Sequence, residues 1–224
     1  MLETMPSELQ SMQKKSVVRL VDDDPGVLRA LSVFLGMADW SVRTYGSGRD
    51  FLSSPGAEPG CVVLDVRMPG MSGIEVQGEM KKRGLGLPII FLSAHGDVEL
   101  AVEAVRNGAK TFLVKPPKPE KLLAAVEEAV ADNIARCRDL DYLRRLQGIW
   151  ETLTPAEKEV AKLVAKGLQN AVIGDVLGIS ERTVRSHRTH IYEKLDAENA
   201  VEVSDFIREL DDLKGKYSSG GAEN

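Results

Sequence analysis

Five residues in this 224-residue chain have the types and positions to carry phosphoryl chemistry. Asp22 and Asp23 follow the β-rich run Val17–Val21, Asp65 ends the run CVVLD, Ser93 ends FLS and Lys115 ends FLVK. Three carboxylates brought together repel one another unless a hard cation sits between them. Mg²⁺ (or Mn²⁺) suits such a set, because it needs only a few protein oxygens plus water. A carboxylate held beside that cation can attack phosphorus and form an aspartyl phosphate. A lysine ammonium and a serine hydroxyl can then hold the phosphoryl oxygens as negative charge grows on them. Singly, each residue has a plainer reading. Asp-Asp-Asp-Pro is a favourable acidic helix start, and a lone Asp or Lys at a strand end is commonly a solvated rim residue. The recurrence of all five at the ends of β-rich runs is what points to a site.

A second set lies nearer the C-terminus. From Arg182 to Tyr192 there are three arginines and two histidines with no acid, in a segment whose charges otherwise nearly balance. Ser180 reads as the N-cap of a helix running to Leu195, with Val184, Ile191 and Leu195 as its apolar stripe and Arg182, Arg185, Ser186 and Thr189 on another face. A local cationic helix on a near-neutral domain is what entry into a DNA major groove requires; the plain alternative is a solvated basic face. His187 and His190 are not a metal pair, since no Cys, Glu or third His supports them.

The elements that must position these residues follow from periodicity. β-rich runs at Val17–Val21, Ser41–Tyr45, Cys61–Val66, Pro88–Leu92 and Thr111–Lys115 alternate with segments of helical spacing, among them Ile74–Lys82 and the stretch holding Val98, Ala101, Val102 and Val105. Asp24 followed by Pro25 reads as an N-cap with proline at the first helical position. This alternation predicts a doubly wound α/β domain with a five-stranded parallel sheet, whose strand ends share one ligand-binding edge. Residues 1–15 read as a loose tail. After Lys118 no strand appears. Leu122, Val126, Val130, Ile134, Cys137, Leu140 and Leu143 predict a long helical connector, broken near Gly148. Residues 153–211 read as four short helices: a capping box Thr154-Pro155-Ala156-Glu157 starts the first, Asn170–Leu177 forms the second and ends at Gly178, Ser180–Leu195 the third, and Glu198–Leu210 the fourth. The second and third form a helix-turn-helix.

Composition bounds the reading. At 43% hydrophobic and 28% charged residues the chain is an ordinary globular mixture, which excludes a disordered chain and a disulfide scaffold. Cys61 and Cys137 are far apart and make no metal-ligand spacing, so reduced thiols and a cytoplasmic protein are expected. No apolar run approaches a membrane span, and the start MLETMPSELQSMQKK lacks the apolar stretch of a signal peptide. The net charge of −5, from 29 basic and 34 acidic residues, means that any DNA binding must come from a local patch.

LVDDDPGVLRAL, VVLDVRMPGMSG, LSAHGDVELAVEAVRNGA and KTFLVKP together resemble a two-component response-regulator receiver domain, with HGDVELAVEAVRNGA leaning toward the FixJ-like subgroup. LTPAEKEVAKLVAKGLQNAVIGDVLGISERTVRSHRTHIYEKLDAENAVEV resembles a LuxR-type helix-turn-helix of FixJ/NarL regulators. The resemblance implies a flavodoxin-like receiver over 16–131, a helical linker over 132–149, a small all-α DNA-binding domain over 150–212 and a flexible tail over 213–224. It implies Asp65 as phosphoacceptor, Asp22, Asp23 and the Arg67 backbone carbonyl completing the Mg²⁺ (or Mn²⁺) ligands, Ser93 and Lys115 on the phosphoryl group, and Phe112 as the aromatic that moves with Ser93. Arg67 and His95 flank the site where phosphate lifetime is influenced. In the reader, Arg185, Ser186 and Thr189 would face base edges, where an arginine can take guanine bidentately. Arg182, Thr183, Arg188 and Lys194 complete the implied DNA surface, the last three as phosphate contacts. The implied partners are a sensor histidine kinase, double-stranded promoter DNA, RNA polymerase and, once phosphorylated, a second copy of the chain; no membrane is implied, nor any catalysis beyond the receiver's own phosphoryl transfer and dephosphorylation. A dehalogenase-type phosphatase needs a second acid two residues past its nucleophile, where Arg67 stands. A dinucleotide-binding enzyme fails at the Asp-rich first turn. A phosphorylation-independent regulator using the receiver as a dimerisation module is the alternative, and the intact acidic set argues against it.

Overall fold

A computed structural model describes residues 6–94, 102 and 105–218. The chain divides into two compact units, one ending at Cys137 and the other starting at Arg138. In the first, α1 (Pro6–Lys15), β1 (Val17–Val21), α2 (Pro25–Met37), β2 (Val42–Tyr45), α3 (Gly48–Ser53), β3 (Gly60–Asp65), α4 (Gly73–Lys82), β4 (Ile89–Ser93) and β5 (Thr111–Val114) precede the helix α5 (Pro119–Glu151), which runs on into the second unit. The stretch of helical spacing that holds Val98, Ala101, Val102 and Val105 lies partly outside the described residues, as does His95; Val102 and residues 105–106 are helical.

All strands pair in parallel in the order β2-β1-β3-β4-β5. β3 is buried along its whole length, as a central strand covered on both faces must be. Its side chains alternate: Val62 and Leu64 pack with Phe51, Val76, Met80 and Phe91 beneath α3 and α4. Cys61 and Val63 pack with Leu35, Ile90, Leu122, Val126 and Ala129 beneath α2 and α5. Burial pushes the Cys61 thiol up to about 12, which makes it unreactive. One side chain breaks the apolar pattern: Arg19, on β1, is fully buried and donates to the carbonyls of Val17 at 2.9 Å, Glu58 at 2.8 Å and Pro55.

Three expectations are corrected. The first fifteen residues are not all tail. α1 packs Leu9 and Met12 against the core cluster that includes Leu35 and Trp40, and Gln13 Nε2 donates to the Ala38 carbonyl at 2.8 Å. α5 does not break at Gly148. A mid-helix glycine costs about 1 kcal/mol, and the flanking Leu146 and Trp150 hold the helix by packing on the last helix of the chain. That last helix continues to Ser218, past the expected tail boundary at 213, because Lys216 and Tyr217 bind Asp139 of α5 at 2.5 and 2.7 Å.

The second unit holds the end of α5 and four further helices: α6 (Pro155–Ala165), α7 (Asn170–Leu177), α8 (Glu181–Leu195) and α9 (Ala200–Ser218). Thr154 and Glu157 form the expected capping box at the start of α6. Val160, Val164, Ile173, Val184, Ile191, Leu195 and Val203 form one core. Leu143, Leu146 and Leu210 form a second, with Trp150 stacked on Phe206 at 6.4 Å. The division at 137/138 lies inside the expected linker, but Leu143 and Leu146 belong to the second unit's packing.

Candidate functional site

The sheet's connections diverge between β1 and β3, and the crevice beyond the C-terminal ends of those strands is where ligands bind in such folds. Asp22 and Asp23 follow β1 and Asp65 is the last residue of β3. Local structure fixes each of them. Asp22 Oδ1 accepts the Asp24 amide at 2.9 Å, while Asp24 caps α2 by accepting the Gly26 amide at 2.7 Å. Beyond Asp65, the Gly73 amide donates to the Val66 carbonyl at 2.9 Å, and Ser72 with Glu75 closes a capping box that starts α4. Gly73 is required there: a Cβ would lie 2.2 Å from the Asp65 carbonyl oxygen.

The three carboxylates each place one oxygen within 4.8 Å of the others. Asp22 and Asp65 are buried and Asp23 is exposed, so the group opens to solvent on the Asp23 side. Lys115 Nζ lies 2.5 Å from Asp22 Oδ2 and 2.8 Å from Asp65 Oδ1. Its backbone amide donates to the Ser93 carbonyl at 2.7 Å, one step beyond the β4–β5 ladder, which brings Ser93 to the same edge. Ser93 is buried. Phe112 is half-buried on β5, its ring 6.5 Å from that of Phe91. Arg67 is exposed in the loop two residues past Asp65.

Electrostatics follow from this crowding. Burial pushes the Asp65 carboxyl up, Asp22 and Asp23 add to the rise, and the Lys115 hydrogen bond opposes it. Burial works against the Lys115 charge as well, but its bonds to Asp22 and Asp65 outweigh that and hold it above the usual lysine value. One ammonium among three carboxylates leaves a net negative, all-oxygen donor set. That set fits a hard divalent cation.

In the second unit, α7 ends at Gly178 in the left-handed conformation (φ 67°), which turns the chain into Ser180. Ser180 Oγ accepts the Thr183 amide at 3.1 Å and starts α8. Val184, Ile191 and Leu195 are buried, and Arg182, Arg185, Ser186 and Thr189 are exposed, as the spacing predicts. Arg185 pairs with Glu181 at 2.8 Å, one turn earlier on the helix. Thr183 also shares a 2.7 Å hydroxyl contact with Ser180.

Two residues expected at phosphate make side-chain contacts within the unit. Lys194 Nζ donates to Glu157 Oε2 at 2.7 Å, because the buried Glu157 carboxylate demands a cation. Arg188 donates to Asn170 Oδ1 at 2.7 Å and to the Tyr192 hydroxyl at 2.6 Å. His190 Nδ1 lies 3.6 Å from Glu157 Oε1. The sequence reading missed Asn170 and Tyr192; the four-residue spacing of Arg188 and Tyr192 was the available signal for the second.

Residues 18–127 match the family described as response regulator receiver domain, and residues 151–207 match the bacterial regulatory proteins of the luxR family. The chain is 37% identical over 195 residues to Nodulation protein W of Bradyrhizobium diazoefficiens, covering 87% of this chain and 85% of that protein. It is 37% identical over 202 residues to Response regulator protein TmoT of Ectopseudomonas mendocina, covering 90% of each. It is 34% identical over 193 residues to Transcriptional regulatory protein FixJ of Bradyrhizobium diazoefficiens, covering 86% and 94%. Among solved structures it resembles response regulator StyR, with TM-score 0.80, 37% identity and coverage of 87% of this chain and 99% of that one. It also resembles full-length FixJ from B. japonicum, with TM-score 0.55, 32% identity and coverage of 88% and 98%.

Proposed function

The chain belongs to the FixJ/NarL-type response regulators, transcription regulators of two-component systems that join a receiver to a LuxR-type DNA-binding domain, and from that premise we propose that Asp65 is its phosphoacceptor. The observation that carries this is Lys115, which bridges Asp22 and Asp65 at the β1–β3 edge. A sensor histidine kinase supplies the phosphoryl group from a phosphohistidine. An Asp65 carboxylate oxygen attacks phosphorus, the P–N bond breaks, and its electron pair goes to the imidazole nitrogen, which takes up a proton from solvent. Asp22, Asp23, Asp65 and the Arg67 carbonyl would hold Mg²⁺ (or Mn²⁺), which would supply charge neutralisation at the phosphoryl group. Lys115 transfers its hydrogen bond from Asp65 to one phosphoryl oxygen and Ser93 donates its hydroxyl to another.

The aspartyl phosphate adds charge of about −1.5 to −2 at neutral pH. As Ser93 is drawn to it, Phe112 turns inward from its place beside Phe91. The face that includes β5 and the start of α5 rearranges and favours a homodimer. The dimer presents two copies of α8 to promoter DNA, with Arg182, Arg185, Ser186 and Thr189 at the surface, and acts with RNA polymerase in the cytoplasm. The chain's own catalysis is confined to receiving and losing this phosphoryl group. No helix among the described residues is long and apolar enough to cross a membrane.

The test is intact mass after incubation with acetyl phosphate and Mg²⁺. The wild type is expected to gain one phosphoryl group and Asp65→Asn none, with both proteins folded. No gain in either would overturn the phosphoacceptor assignment and favour a receiver that serves as a dimerisation module without phosphorylation.

A further inference from the structure

α8 carries four cationic side chains, Arg182, Arg185, Arg188 and Lys194, and the structure divides them by what they touch. Arg182 and Arg185 stand at the surface; the Arg185–Glu181 pair, with side chains 69% and 50% exposed, is a solvent-screened contact that DNA can displace. Arg188 turns the other way. One end of its guanidinium donates to the hydroxyl of Tyr192, one turn on, with the group 5.6 Å from that ring's centroid. The other end donates to Asn170 Oδ1 at the first residue of α7. α7 is therefore tied to α8 at both ends: by the Gly178–Ser180 turn at its C-terminus and by Arg188 at its N-terminus. The shared core through Ile173, Val184 and Ile191 holds the two helices together, and the Arg188 tie, at the end away from the turn, adds a directional constraint on their angle. A planar fork reaches acceptors lying on opposite sides of the group from separate nitrogens, whereas a lysine must reach both from one nitrogen.

We propose that Arg188 is a positioning residue for DNA recognition, a strut that sets the angle at which α8 presents Arg185, Ser186 and Thr189 and that does not itself bind phosphate. This rests on the reading of α8 as the helix that meets DNA. A misdirected α8 loses contacts to base edges, which carry sequence preference, while flexible basic side chains still find the phosphate backbone. Loss of the strut therefore lowers affinity for a preferred sequence and spares affinity for arbitrary DNA.

The experiment uses the full chain, treated with acetyl phosphate and Mg²⁺, to enrich a duplex from a random library. Affinity for that duplex and for a scrambled duplex is then measured across a salt series for the wild type, Asn170→Ala, Arg188→Ala, Arg188→Lys and the Asn170→Ala/Arg188→Ala double variant. Asn170→Ala keeps every charge on α8, and Trp150 fluorescence in a Trp40→Phe background reports whether each variant's second unit is folded. The proposal expects Asn170→Ala, Arg188→Ala and Arg188→Lys each to weaken the enriched duplex by about tenfold, the scale of one lost base contact. It expects the scrambled duplex to change less than about twofold, the salt slope to hold, and the double variant to be no worse than Arg188→Ala. Equal losses on both duplexes with a salt slope lower by about one, rescue by Arg188→Lys and a silent Asn170→Ala would make Arg188 a phosphate contact and overturn the proposal. Failure of the wild type to enrich any duplex would overturn the reading of α8 itself, a different result from either.

Discussion

Glu157 is 4% exposed, accepts the Thr154 amide at 2.8 Å and accepts Lys194 from α8 at 2.7 Å. Burial by itself raises such a carboxyl; the Lys194 ammonium and the two Thr154 hydrogen bonds overcome it and hold Glu157 at about 2, against an ordinary value of 4.5. A depressed value fixes the sign: the ionised form stabilises the fold fully above pH 4.5, and that contribution fades as pH falls toward 2. It amounts to about 3 kcal/mol. Glu157→Gln is expected to lower the second unit's stability by about 2 kcal/mol at pH 7 and by less than half of that at pH 3. The readout is the urea midpoint followed by Trp150 fluorescence in a Trp40→Phe background; equal deficits at both pH values would refute the ionic role. At this scale the sequence is legible unevenly. Asp22, Asp23, Asp65, Ser93 and Lys115 declare themselves because each sits at the end of a β-rich run, where parallel pairing sends them to one edge. Arg188 and Lys194 do not, since a helical cation has the same neighbours in sequence whether its partner is a buried Glu157, an Asn170 or a phosphate.

Among the elements, α1 was invisible to periodicity because, of its described side chains, Leu9 and Met12 are the apolar ones packed on the core. What orders it is tertiary: those two side chains pack on the cluster that holds Leu35 and Trp40, and Gln13 satisfies the Ala38 carbonyl at the end of α2. Removing residues 2–15 is expected to cost the first unit about 2 kcal/mol, measured as the urea midpoint from Trp40 fluorescence in a Trp150→Phe background. An unchanged midpoint would return α1 to the status of a tail. The strands were far easier to read. Each β-rich run lies within one residue of an observed strand end, because a parallel sheet covered on both faces leaves its interior strands predominantly apolar, Arg19 of β1 excepted. Gly148 misled for the opposite reason: propensity marks a break, and the packing of Leu146 and Trp150 on Leu210 and Phe206 overrides it.

Over the whole molecule, the acidic cluster and α8 lie in different units, and the unit that holds α8 also owns the end of α5. A fragment of residues 138–224 is therefore expected to unfold cooperatively and to exceed a 150–224 fragment in stability by at least about 3 kcal/mol, since the shorter one strips Leu143 and Leu146 from Leu210. Urea denaturation of the two fragments decides it; matching midpoints would place the domain's start at 150. The division of labour along α8 has an evolutionary corollary. Its buried stripe, Val184, Ile191 and Leu195, and its inward ties through Arg188 and Lys194 carry the structural duties, while Arg185, Ser186 and Thr189 contribute nothing to the core. If α8 reads DNA as proposed, those three positions can change without cost to the core, so descendants of this chain acquire new target genes by a few substitutions, with no new fold or signal-receiving chemistry to evolve.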